Sequence, residues 1–136
     1  MPATLKLEIV TPDAQTYSDD VEMVTLPGTE GEMGVYPNHV PLMTQLAPGE
    51  VIVRKDGHDT FLAVGEGFVE ITGDHVAILT DMAVKADNID ETKAEEARRR
   101  AESRLAAHLN DEEAAIVSAA LANALAQIHV KRRRHP

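Results

Sequence analysis

The chain has 136 residues and a mass of 14.8 kDa, the size of one domain or of one domain with a small appendage. It contains no cysteine, which excludes disulfides, thiolate metal sites and cysteine nucleophiles. The net charge is −10, and residues 1–86 carry this whole excess, whereas residues 87–136 balance 9 basic with 9 acidic side chains. An acidic first half argues against a nucleic-acid partner.

The first half has the turn residues of an all-β protein. All 8 glycines, and every proline except Pro136, lie within residues 1–73. Apolar residues alternate at Leu5, Leu7 and Ile9, which predicts a strand with one buried face. Turn pairs such as Asp56-Gly57 separate further strands, predicted over 21–26, 51–54, 60–64, 68–72 and 76–80. The pattern predicts an antiparallel β-sandwich or flattened barrel over residues 1–86.

Residues 87–136 have a helical pattern, with no glycine and no proline before the last residue. The first apolar stripe comprises Ala94, Ala97, Ala101, Leu105 and Leu109. This helix is predicted to end near Asn110-Asp111, where Asn110 and Glu113 form a capping pattern for a second helix. The second stripe comprises Ala114, Val117, Leu121, Ala124 and Ile128. A break of two or three residues predicts an antiparallel helical hairpin over 87–136.

The hairpin is rich in alanine, which favours helix formation but buries little apolar area. Its helices are therefore expected to persist while their docking stays weak. That combination suits a hairpin that detaches and docks again, and an ordinary static hairpin is the alternative. The segment 114–130 is short and alanine-rich for a membrane span, so a soluble helix is expected.

The sequence lacks the common catalytic patterns. It has no Gly-x-Ser-x-Gly turn, no P-loop and no His-x-x-x-His spacing. An active site wholly within this chain is not expected. The basic cluster at 131–134 is interpreted as a solvated tail, a nucleic-acid contact or a contact for an acidic protein partner.

Residues 27–42 read PGTEGEMGVYPNHVPL, in which three spaced glycines precede Pro-x-His-x-Pro-Leu. This segment resembles the signature of the epsilon subunit of F-type ATP synthases. The resemblance continues through Gly65-Glu66-Gly67 and Ile89-Asp90-Glu91 and covers essentially the whole chain. The order of a β body followed by a helical hairpin agrees with the periodicity.

The resemblance implies a non-catalytic rotor subunit that needs no cofactor. Its β-sandwich would lie at the foot of the central stalk, against the gamma subunit and the c-subunit ring. Gly31, Glu32, Tyr36 and His39 are the implied contacts on that side. The chain would be peripheral to the membrane, on the cytoplasmic face of the bacterial plasma membrane. An N-terminus without a signal or transit peptide favours this bacterial origin, and an organelle-encoded chain is the alternative with the same feature.

The resemblance also implies that the hairpin extends along gamma and hinders ATP hydrolysis by meeting an acidic segment of the beta subunit. The basic positions implied for that contact are Arg98, Arg99, Arg100, Arg104, Lys131, Arg132, Arg133 and Arg134.

Some members of this family bind ATP where the hairpin begins. The corresponding residues here are Ile89, Asp90, Lys93 and Ala94, with lysine where the family motif has arginine. Lysine keeps the charge but loses the two-pronged donor geometry, so we interpret Asp90 as a helix N-cap. Two alternatives follow, a nucleotide-sensing regulator on the same scaffold and a free-standing β-sandwich ligand-binding module.

Overall fold

The computed structural model describes residues 3–133. The strands are β1 (Leu5–Val10), β2 (Gln15–Val21), β3 (Met23–Gly28), β4 (Gly31–Val35), β5 (His39–Leu46), β6 (Gly49–Lys55), β7 (His58–Val64), β8 (Gly67–Gly73), β9 (His75–Thr80) and β10 (Ala83–Lys85). A short 3-10 helix (Ala86–Asn88), α1 (Glu91–Leu105) and α2 (Asp111–Arg133) follow.

The strands form one sheet in the order β10-β7-β6-β3-β5-β8-β9-β1-β2, with β4 paired to β3. Its pairs are antiparallel except β1 with β9, which is parallel. An ion pair of 2.5 Å joins Lys55 Nζ on β6 to Asp19 Oδ2 on β2, although these strands are far apart in the order. The sheet therefore curls back on itself, and the predicted antiparallel sandwich or flattened barrel is confirmed.

The interior of the sheet is an aliphatic core. Leu5, Leu7 and Ile9 are fully buried in it, which confirms the predicted alternation. The Asp56-Gly57 hairpin is also confirmed: both residues have positive φ, 53° and 75°, and they connect β6 to β7. Positive φ at both central positions gives the turn whose twist matches that of the strands.

The predicted strand 21–26 is confirmed over residues 23–26, which begin β3, but the chain is interrupted at Glu22. The amide of Glu22 donates to the carbonyl of Arg54 at 2.8 Å, and its carboxylate accepts from the Gly57 amide at 3.0 Å. β2 therefore ends at Val21 and β3 begins at Met23.

The glycine- and proline-rich segment 27–42 contains strand β4 and the first half of β5, neither of which sequence analysis predicted. The turn between β3 and β4 takes up only Thr29 and Glu30. Pro41 is accommodated because the register of β5 against β8 shifts between His39 and Leu42.

The helical hairpin forms, but its first helix is shorter than expected. α1 ends at Leu105, so five residues (106–110) connect the helices instead of two or three. The amide of Ala107 donates to the carbonyl of Arg104 at 3.1 Å, which tightens the last turn. Leu105 is exposed, so no buried contact holds a further turn. The cap at Asn110 is confirmed, since its Oδ1 accepts from the Glu113 amide at 2.7 Å.

The hairpin docks on the outside of the sheet through a second, smaller cluster. Its buried members are Ala63, Ala86, Ile89, Ala126 and Val130. None of these residues belongs to the core inside the sheet. The hairpin and the β body therefore have separate apolar contacts rather than one shared core.

Five of the ten predicted stripe positions are buried. Ala94 and Ala101 on α1 are buried, as are Val117, Ala124 and Ile128 on α2. By length and composition alone, α2 is the one helix within residues 3–133 that could span a membrane. Here it contacts α1, β6 and β7.

Candidate partner-binding surfaces

The predicted ring-side residues occupy the two ends of strand β4. Gly31 and Glu32 lie at its start, whereas Tyr36 directly follows its end and His39 begins β5. At about 3.3 Å per residue, Gly31 and Tyr36 are roughly 16 Å apart along the strand. Glu32 and Tyr36 are exposed, and His39 is half-buried with Nδ1 2.6 Å from the carbonyl oxygen of Val40. The segment therefore presents two contact points instead of one loop.

The structure adds an exposed apolar sheet face, formed by Met43, Phe68 and Leu79, that sequence analysis missed. Phe68 on β8 lies directly opposite Leu79 on β9, and Met43 on β5 lies opposite Glu70, two residues from Phe68. These three side chains are 67%, 54% and 49% exposed. Exposed apolar groups that adjoin one another typically mark a protein contact.

A signal for this face was present in the sequence. The β9 segment Val76-Ala77-Ile78-Leu79 is apolar at every position, with Val76 and Ile78 buried and Leu79 exposed. A continuous apolar run indicates a strand that is covered on both faces.

The basic residues of α1 divide into paired and unpaired groups. Arg98 donates to Glu95 at 2.8 Å and to Glu102 at 2.9 Å. The hydrogen bond from Arg98 lowers the pKa of Glu95. Arg104 lies 4.0 Å from Glu113. Within residues 3–133, Arg99 and Arg100 form no hydrogen bond or ion pair and are exposed.

The basic residues at the end of α2 hold the hairpin in place. Arg132 contacts Glu91 and Glu95 of α1, with both N···O distances 2.8 Å. Arg133 contacts Glu50 of β6 at 2.6 Å. Lys131 Nζ donates to the carbonyl of Ala86 at 3.2 Å. The interpretation of this cluster as a solvated tail is therefore wrong for residues 131–133, and Arg134 lies outside the described residues.

An open groove of about 660 Å³ separates α2 from the ends of β3, β4 and β6. Gly31 and Glu32 line one side, and His129 and Arg133 line the other. The fold therefore brings part of the predicted ring-side set next to part of the predicted hairpin set.

Two of the residues that match the ATP-binding motif have structural roles in the hairpin. Asp90 is the N-cap of α1, as interpreted from the sequence, since its Oδ1 accepts from the Lys93 amide at 3.1 Å. Ile89 is buried in the interface cluster and Ala94 is buried. Lys93 has an exposed side chain. Binding of a nucleotide at this position stays a prediction.

Within residues 3–133, no group of three or more His, Cys, Asp or Glu side chains is placed to hold a metal ion.

Comparison with known proteins identifies the family over residues 4–132. Residues 4–86 match the family described as ATP synthase, Delta/Epsilon chain, beta-sandwich domain, and residues 87–132 match the corresponding long alpha-helix domain. The ATP synthase epsilon chain of Laribacter hongkongensis is 39% identical over 139 aligned positions, covering 98% of this chain and 99% of that one.

Two solved structures have the same fold. A chain in the OSCP/F1/c-ring of the Euglena gracilis mitochondrial ATP synthase, in rotational state 1, superposes with a TM-score of 0.72. It is 27% identical, and the match covers 90% of this chain and 78% of that one. For a chain of the Tetrahymena thermophila mitochondrial central stalk/c-ring the TM-score is 0.55, with 13% identity over 64% of this chain and 70% of that one. The chain belongs to the delta/epsilon chain family of ATP synthases.

Proposed function

We propose that this chain is a non-catalytic subunit of the central stalk, coupling rotation of the c-ring and the gamma subunit to ATP synthesis. We further propose that its helical hairpin inhibits ATP hydrolysis. The observation that carries both parts is the separation of the two apolar clusters. One is the fully buried core inside the sheet, and the other is the smaller interface cluster beneath α2, which Phe61, Met82 and Val84 adjoin. Such a chain combines a rigid β body with a hairpin that can leave it.

The coupling role is assigned to the β body. Its exposed apolar face at Met43, Phe68 and Leu79 is suited to a long-lived contact with gamma, because burying such side chains is the main favourable term in protein association. Glu32 and His39 are the contacts proposed for the ring side. The chain would then be held at the cytoplasmic face of a bacterial plasma membrane through the complex.

The inhibitory role is assigned to the basic residues of the hairpin. Arg99 and Arg100 are exposed and unpaired within residues 3–133, so an acidic segment of the beta subunit could bind them without breaking any contact described above. Arg98, Arg104, Lys131, Arg132 and Arg133 would have to exchange partners first. Arg134 remains part of the proposed contact by sequence alone.

Truncation after residue 86, in the complete complex reconstituted with its c-ring into vesicles that hold an ion gradient, tests the two roles separately. We expect faster ATP hydrolysis and retained coupled ATP synthesis, since the β body keeps its own core. Unchanged hydrolysis would refute the inhibitory role and leave the coupling role standing.

A full-length variant, R99Q/R100Q, tests the same role without deleting the hairpin. We expect weaker inhibition with no loss of stability, because these side chains make no contact described above. The control is K6Q/R54Q, which removes two positive charges from the β body instead. Because Arg54 is bonded to Asp59 at 3.0 Å, the stability of this variant is measured alongside.

A further inference from the structure

The apolar sheet face is part of a larger outer surface. Strands β5, β8, β9, β1 and β2 lie side by side, whereas α2 packs on β6 and β7. The strand register places the outward-facing residues in rows that cross these five strands. The first row contains Gln45, Phe68, Leu79 and Val10, and the second contains Met43, Glu70, Ala77, Glu8 and Ser18.

The second row carries two carboxylates, one on each side of a small residue. Glu70 on β8 and Glu8 on β1 both lie opposite Ala77 on β9. Two strand spacings of about 4.8 Å place the backbones of these glutamates roughly 10 Å apart. Since Ala77 has only a methyl side chain, the surface is low between the two carboxylates.

Neither carboxylate is neutralised by a lysine or arginine within residues 3–133. Glu70 is exposed, and its side chain forms no hydrogen bond or ion pair in that range. Glu8 has His75 as a neighbour, with Nε2 3.5 Å from Oε1. Histidine is ordinarily neutral at about pH 8, so at that pH both carboxylates are open to a cation.

The surface therefore combines an exposed apolar row with a parallel row of unneutralised negative charge. The two rows are about 6.6 Å apart along the strands, so a helix about 10 Å wide can contact both. Residues seven positions apart on a helix lie on nearly the same side and are separated by about 10.5 Å. That separation matches the spacing of Glu70 and Glu8.

We infer that a helix of the gamma subunit crosses these strands, with apolar side chains on Phe68 and Leu79. Lysine or arginine side chains seven positions apart in that helix pair with Glu70 and Glu8. The inference rests on the proposed contact with gamma, and it adds the chemistry and the spacing that the partner segment must have. The charge is complementary, because residues 1–86 carry the whole net charge of −10 and attract a cationic partner.

Binding of the purified full-length chain to the gamma subunit at about pH 8 tests the two ion pairs. E8Q/E70Q should weaken binding about tenfold or more, as for loss of charged hydrogen bonds. Raising the salt from about 50 mM to about 500 mM should weaken binding of the parent more than that of E8Q/E70Q, because salt screens charge pairs at an interface. An equal salt dependence of the two proteins would overturn the inference.

A matched control keeps the net charge and moves one carboxylate. Ser18 on β2 is exposed and lies opposite Glu8 in the same row. E8Q/S18E therefore shifts the negative charge by one strand, about 5 Å further from Glu70. This variant should bind gamma as weakly as E8Q. Binding as tight as that of the parent would show that net charge and not spacing attracts gamma, which contradicts the inference.

F68T/L79T, which removes apolar area and no charge, distinguishes this inference from the proposed function. If F68T/L79T weakens binding and E8Q/E70Q binds like the parent, the contact with gamma holds and the ion pairs are refuted. If neither variant weakens binding, the proposed contact at this face fails together with the inference. Urea unfolding midpoints equal to that of the parent show that lost binding is not lost folding.

Discussion

Gly65 lies so close to Asp81 that a Cβ atom at position 65 would overlap the Asp81 carboxylate. The same Cβ would lie 2.6 Å from Oδ1 of Asn123 on α2. Asn123 Nδ2 in turn donates to Asp81 Oδ2 at 3.4 Å, and the Gly65 amide donates to the carbonyl of Met82 at 2.9 Å. The connection between β7 and β8, the connection between β9 and β10, and helix α2 therefore meet at Gly65, where no side chain fits.

Replacement of Gly65 by alanine should loosen the hairpin. The methyl group must displace Asp81 or Asn123, and overpacking of this kind costs about 1–3 kcal/mol. We expect a lower midpoint of urea unfolding and increased amide exchange in α2. Gly34→Ala is the control, since its Cβ would meet the terminal methyl of Met23, which can move aside. Equal effects of the two substitutions would show that Gly65 has no special role.

Asp90 offers a way to separate a helix cap from a nucleotide ligand. D90A should lower the free energy of unfolding by about 0.5–2 kcal/mol, because the Lys93 amide loses its acceptor. D90S keeps a capping oxygen and should largely restore stability.

Calorimetric titration of Mg-ATP into the parent chain and D90S then examines the ligand role. If the parent releases no heat at millimolar nucleotide, the nucleotide-sensing alternative is excluded. If it does bind and D90S binds equally well, Asp90 acts as a cap and not as a ligand.

The Arg98–Glu95 pair predicts that the hairpin weakens in acid. Arg98 lowers the pKa of Glu95 in the folded chain, so the pKa of this carboxyl rises when the chain unfolds. The folded state is therefore favoured above the unfolded-state pKa, about 4.3 for a glutamate. This contribution is lost as the pH falls through the lower, folded-state pKa.

Urea unfolding followed by helix circular dichroism between pH 6 and pH 3 measures this effect. E95Q should reduce the loss of stability over the acid end of the range. E96Q is the matched control, because Glu96 is exposed and makes no ion pair within residues 3–133. The prediction fails if E95Q retains the full pH dependence of the parent.

Sequence patterns predicted those parts of the fold that are determined by interactions among neighbouring residues. The alternation at Leu5, Leu7 and Ile9 and the positive-φ turn at Asp56-Gly57 each depend on a few consecutive residues. Strands β4 and β5 were missed because their glycines and prolines resemble loop residues until the partner strands and the register shift at Pro41 are known.

The candidate sites were less predictable because they join distant parts of the chain. The Arg133–Glu50 hydrogen bond spans 83 positions, and Arg132 reaches Glu91 over 41. Charge counting identified the basic cluster but could not assign its partners. The apolar sheet face likewise exists only once β5, β8 and β9 lie side by side.

That apolar sheet face should be required for assembly and dispensable for folding. Phe68 and Leu79 are about half exposed and lie opposite each other, so F68T/L79T keeps β-forming side chains while removing apolar area. Surface substitutions of this kind usually change stability by less than about 0.5 kcal/mol.

Binding of purified F68T/L79T to the gamma subunit should weaken by about tenfold or more, because burial of one such side chain contributes about 1.5–3 kcal/mol. The control is I116T/L125T, which removes two similarly exposed apolar side chains from α2. If both double variants bind gamma like the parent, the apolar sheet face is not the stalk contact. If only the α2 variant loses binding, the contact lies on the face of the hairpin that stays exposed when α2 is docked on the β body.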